Sequence, residues 1–63
     1  MILGTVGEGK LLMEIELREN GSLAFRQGQI SRDVGGNYQT SEEAAEFLRS
    51  TYADPQWKLK LKI

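Results

Sequence analysis

Leu11-Leu12-Met13-Glu14-Ile15-Glu16-Leu17-Arg18, followed by Glu19-Asn20-Gly21-Ser22 and then Leu23-Ala24-Phe25-Arg26, is the stretch on which the fold turns. Leu11, Met13, Ile15 and Leu17 recur at every second position, with Leu12, Glu14, Glu16 and Arg18 between them. A period of two marks a half-buried strand. Asn-Gly ahead of a second apolar run signals a hairpin, and the length of its loop follows from which faces must meet. A two-residue Asn20-Gly21 loop sets Leu17 opposite Ala24 and Ile15 opposite Arg26, which places an arginine on the apolar face. A three-residue loop, Glu19-Asn20-Gly21, sets Leu17 opposite Leu23, Ile15 opposite Phe25 and Glu14 opposite Arg26. The large apolar residues then share one face and a cross-strand ion pair lies on the other. Gly21 also falls where such a loop wants a left-handed residue. The three-residue loop is the expected one.

Upstream, Ile2–Val6 reads as a first strand joined to Leu11 through Gly7-Glu8-Gly9-Lys10. Its parity has two readings. A tight Glu8-Gly9 turn sets Val6 against Leu11 and Ile2 against Ile15, whereas a three-residue Gly7-Glu8-Gly9 loop turns Leu3 inward. The tight turn is preferred. Downstream, residues 28–40 hold Gly28, Gly35 and Gly36 among polar neighbours with no clear period. They read as a long connection anchored by Ile30 and Val34, with an extension of the third strand over residues 29–34, past a bulge at Gly28, as the alternative.

The next element is marked by its cap. Thr40 with Glu43 three residues later forms a capping box, and Glu42 and Glu43 suit the positive end of a helix dipole. Ala44, Ala45, Phe47, Leu48, Thr51 and Tyr52 follow at helical spacing, and Asp54-Pro55 ends the helix. From Trp57 onward the chain alternates again, so Trp57, Leu59, Leu61 and Ile63 are expected inward and Lys58, Lys60 and Lys62 outward on a last strand. The sum is a single α+β domain over residues 1–63, in the order β-β-β-α-β. It forms a two-layer sandwich whose mainly antiparallel sheet of about four strands carries one helix on one face. The other face should bear Glu14, Glu16, Arg18, Arg26, Lys58, Lys60 and Lys62. The segment Tyr38-Gln39-Thr40-Ser41-Glu42-Glu43-Ala44-Ala45-Glu46 resembles the threonine-capped, glutamate-alanine helix start of HicB-type antitoxins, which also run three strands, helix, strand. The proline-and-glycine motif expected before it is absent, so the resemblance implies a shape and carries over no function.

Composition narrows the chemistry. The chain has 63 residues, 40% hydrophobic and 27% charged, which suits one small globular domain near the size at which a core suffices for folding. It has no cysteine and no histidine. Disulfides, most transition-metal sites, the commonest general base and the best nucleophile are thereby missing. Glu14 and Glu16 share an open sheet face with no pocket to perturb them. Gly35 and Gly36 precede a helix but lack the lysine of a phosphate loop, and Glu42 and Glu43 would repel an anion there. The expectation is a non-enzyme with no cofactor and no bound metal. No run approaches the ~20 apolar residues of a membrane span, and Met1-Ile2-Leu3-Gly4 lacks a basic leader, so a cytoplasmic location is expected.

Two binding functions remain. The first is a small interaction module acting through protein–protein contact, expected to be homodimeric. Its surfaces would be the free edge of the last strand and a Leu3–Leu12 patch on the outer sheet face. The second is a nucleic-acid-binding module. Lys58, Lys60 and Lys62 would stand about 7 Å apart along one strand face, joined by Arg26 and Arg18. Against it, that face has no aromatic for base stacking and carries Glu14 and Glu16, and the net charge is −1. Tyr52 and Trp57 are assigned to the core, and Tyr38 either to recognition or to covering the core.

Overall fold

The computed structural model describes residues 1–62, so Ile63, expected inward, lies outside the described residues. Strands β1 (Ile2–Val6), β2 (Met13–Leu17), β3 (Leu23–Gln27), β4 (Ile30–Gly35) and β5 (Lys60–Leu61) form one antiparallel sheet. Its order is β4-β3-β2-β1-β5. Helix α1 (Ser41–Thr51) lies on one side of it. The α+β class and the single helix match the sequence expectation, and the sheet has one strand beyond those that alternation reveals.

The β2–β3 hairpin has the expected register, with Leu17 opposite Leu23, Ile15 opposite Phe25 and Glu14 opposite Arg26. Gly21, at φ 89°, donates its N–H to the Arg18 carbonyl at 2.9 Å and closes the loop. The capping box also forms in part. Thr40 is extended at φ −134° and its Oγ1 accepts from the Glu43 N–H at 3.2 Å. Such a cap is worth about 1 kcal/mol.

Residues 28–40 depart from the expectation. They are neither a long connection nor a prolonged third strand, because the chain reverses at Gly28-Gln29 and returns as β4, with Gln27 opposite Ile30 and Phe25 opposite Arg32. Gly28 has φ 62° while Gln29 keeps an ordinary φ, the pattern of a type II′ turn. A register shift between Leu23 and Ala24 leaves Val34 as an extra residue on β4.

The first strand resolves its parity in a third way. Val6 pairs with Met13 and Ile2 with Glu16, and a bulge between Ile2 and Gly4 absorbs one residue. The bulge changes the phase of the strand, so that Leu3 and Val6, an odd number of residues apart, both point into the core at 0% and 2% exposure. The preferred tight turn, with Ile2 inward, is therefore corrected. Gly4 makes room for the next neighbour: a Cβ there would fall on the Lys60 carbonyl and 2.8 Å from the Leu61 Cα.

Two further corrections concern the ends of alternating runs. Leu11 belongs to a 3-10 turn, Gly9–Leu11, and is 75% exposed, so β2 begins only at Met13. The C-terminal run is shortened as well. Asp54 accepts from the Gln56 N–H and starts a second 3-10 turn, Pro55–Trp57, which Lys58 ends in a left-handed conformation at φ 52°. Only Lys60 and Leu61 then pair with β1. The core is built from Leu3, Val6, Ile15 and Leu23 on the sheet and Ala44 and Leu48 on the helix.

This packing predicts opposite fates for two leucines. Leu3→Ala should cost about 2–5 kcal/mol, whereas Leu11→Ala should stay within about 0.5 kcal/mol, both measured by chemical denaturation. A comparable loss at Leu11 would contradict the turn at Gly9–Leu11.

Candidate interaction surfaces

The two faces of the sheet differ in chemistry. On the open face, charged side chains of both signs are interspersed across the strands. Arg26, Glu14, Thr5 and Lys60 face one another in a row from β3 to β5. At one end of this face a polar cluster is built around Asp33 on β4. Arg18 reaches from the end of β2 across β3, with its guanidinium 3.0 Å from the Ser31 Oγ and 3.8 Å from the Asp33 carboxylate. The β3 residue beneath that span, opposite Asp33, is Ala24, and it is fully buried. The Ser22 Oγ lies 3.0 Å from Asp33 Oδ2 and 2.8 Å from Asn20 Oδ1, so its single proton is shared between the two acceptors. The Gly35 N–H donates to Asp33 at 2.7 Å. That N–H, then the Ser22 hydroxyl and to a smaller extent Arg18, hold the Asp33 carboxyl below its ordinary value. Arg18 and Asp33 are each about 40% exposed, so the ion pair itself is weak.

The cations expected to form a patch are dispersed. Arg18 is engaged by Asp33 and Ser31. Lys60 is exposed on β5, with β1 and β2 between it and Arg26 on β3, about 14 Å at the usual strand spacing. Lys62 is exposed just past the end of β5. Lys58 has left the row altogether, because its left-handed residue ends the 3-10 turn; it lines a shallow depression with Arg49 and Asp54 below the helix. The continuous lysine row is thus corrected by the break at Lys58.

The leucine patch is also rearranged. Leu3 is buried by the β1 bulge and belongs to no surface, while Leu12 is 44% exposed beside the exposed Leu11. The exposed leucine pair is therefore Leu11–Leu12.

The helix side holds what the sequence left hidden. Phe25 faces α1, where its ring lies 5.9 Å from that of Tyr52. Its cross-strand neighbour Arg32 shares that side, and so, by alternation, do Ile30 and Val34. No helix lies over them, for every residue of β4 except Gly35 is exposed, Ile30 at 74%. At the end of the sheet nearest the Gly28-Gln29 turn, this flank adjoins an apolar groove of about 510 Å³. Val6, Met13, Phe25, Gln27, Tyr52 and Trp57 line it, with the Tyr52 and Trp57 rings edge to face at 5.1 Å. A hint of this flank existed in the glycine at the first position of a two-residue turn, followed by Ile30, Arg32 and Val34 at alternate positions.

Among the described residues no cluster of three or more acidic, histidine or cysteine side chains is placed to hold a metal. Among the described residues no helix is long and apolar enough to cross a membrane.

The Asp33 cluster carries a pH dependence whose sign is fixed. Its folded value lies below that of the unfolded chain, so its contribution to stability is present above the unfolded value and is lost as pH falls through the folded one. A carboxyl NMR titration of Asp33 should give a midpoint below 3.8. Asp33→Asn should flatten the acid limb of the stability curve. A midpoint at or above the ordinary value would contradict the cluster.

Compared with protein-family models, curated proteins and solved structures, the chain matches none of them.

Proposed function

We propose that the chain is a non-enzymatic interaction module acting through protein–protein contact, by addition of a partner's strand to the free edge of β4. The observation that carries this reading is the state of β4: a six-residue edge strand, exposed on both faces, with Ile30 and Val34 at 74% and 49% exposure. An edge strand presents unpaired N–H and C=O groups, and folded proteins usually blunt such edges with proline, lysine, short length or a covering element. β5, the opposite edge, is blunted in this manner, being two residues long and followed by Lys62. β4 has neither proline nor lysine, and only the bulge at Val34 and the charges of Arg32 and Asp33 interrupt it. Main-chain pairing along such an edge supplies affinity, and pockets or side chains on alternate positions supply choice.

The nucleic-acid reading is the weaker of the two. Its five cations neither share a face nor stand clear of acids, and the open face bears no aromatic.

The module reading is tested by selecting extended peptides from a displayed random library and titrating them into isotope-labelled protein. Bound peptides should shift the β4 amides, and Ile30→Lys with Val34→Lys should abolish binding while leaving the fold intact, since both positions are exposed. Peptides that shift β5 and spare β4 would overturn the assignment. So would a mixed-sequence oligonucleotide that moves Lys58, Lys60, Lys62 and Arg26 in a salt-dependent manner.

A further inference from the structure

The chemistry of β4 specifies its occupant further, if the strand-addition reading above holds. Alternate residues of an edge strand turn their N–H and C=O groups away from the sheet. Counted from the Gln27–Ile30 pair that closes the two-residue turn, these are Ser31 and Asp33. Ile30, Arg32 and Val34 then project between them on the helix side, an apolar–cationic–apolar row. Arg32 is exposed, and among the described residues it has no acidic partner, the ion pair formed being Arg18–Asp33.

A second copy of the chain fits this edge badly. Three twofold antiparallel registers bring the outward groups of two β4 strands together. Centred on Arg32, the pairing sets Ile30 opposite Val34 but places the two Arg32 side chains against each other on the axis. Centred on Asp33, it places the two Asp33 carboxylates together and Arg32 against Val34. Centred on Ser31, it sets Arg32 opposite Ile30. Like charges directly opposite are destabilising in an antiparallel pair, so each register sacrifices either charge or apolar matching.

We propose that the edge of β4 takes an extended segment of a different protein, with an aspartate or glutamate flanked two residues away on each side by apolar residues. The acid meets Arg32, and the apolar residues cover Ile30 and Val34. The intervening residues face Ser31 and Asp33, where the Gly35 N–H and the Ser22 hydroxyl already donate to the carboxylate, so small polar side chains suffice.

The probe is a pair of synthetic peptides, Thr-Val-Thr-Glu-Thr-Val-Thr and its lysine-centred counterpart, titrated into labelled protein with the β4 amides followed by NMR. The glutamate peptide should shift Ser31 and Asp33 and bind roughly fivefold more tightly than the lysine peptide, the scale of an exposed ion pair. Arg32→Glu, a change at an exposed position, should invert the preference. Equal binding of both peptides, with the β4 shifts retained, would overturn the acidic partner while leaving strand addition in place. Absence of β4 shifts with either peptide would remove strand addition itself. β4 shifts that grow with protein concentration alone would show a second copy at the edge and overturn the proposal.

Discussion

One helix must shield a five-stranded sheet, and it is too narrow to do so. Four inter-strand spacings of about 4.8 Å put the outer strands about 19 Å apart, while a helix with its side chains is about 10–12 Å across. α1 therefore buries the centre, where Leu3, Val6, Ile15 and Leu23 meet Ala44 and Leu48. The remaining coverage is partial. At the β1–β5 side the chain compensates with the Pro55–Trp57 turn and the half-buried Leu59 and Leu61. At the β4 side nothing equivalent is built, and Ile30, Arg32 and Val34 remain bare. The surface assigned to binding is the part of the sheet that the helix leaves over.

The β1 bulge is what makes so small a core sufficient. By bringing Leu3 inward together with Val6 it adds a fully buried leucine, a contribution of about 1.5–3 kcal/mol. In a domain of this size the whole net stability is of order 3–5 kcal/mol. Gly4, at the bulge, lets β5 approach closely, and the Gly7 N–H bonds the Trp57 carbonyl at 2.6 Å. That bond helps to hold Trp57 at the rim of the apolar groove, beside Tyr52. The local irregularity of one strand thus sets the position of an element some fifty residues away in the chain.

Where burial alternates, the sequence is readable. The β2–β3 register was determined because only one loop length keeps Ile15, Leu17, Leu23 and Phe25 together and Arg26 out. The helix was readable from Thr40 and Glu43, whose capping geometry is local. β4 was not, since a strand exposed on both faces has no apolar face to impose a clear period; its signals were the turn chemistry of Gly28-Gln29 and the alternate placing of Ile30, Arg32 and Val34. Leu3 and Leu11 exchanged roles because a bulge and a 3-10 turn each break the period of two. The lysine row failed for a related reason: Asp54-Pro55 starts a turn that ends on a left-handed Lys58, so a faultless alternation in the sequence is interrupted in space. The candidate site was hidden with β4, and the leucine and lysine patches were displaced with their strands.

The proposed strand addition rests on a single physical proposition, that β4 is an open edge in the free protein. Amide hydrogen exchange tests it directly, residue by residue, at several protein concentrations. Ser31 and Asp33 should exchange rapidly and independently of concentration, while Ile30 and Arg32, turned toward β3, should exchange slowly. Slow exchange at all four residues, persisting on dilution, would mean that the edge is already covered and would contradict the account.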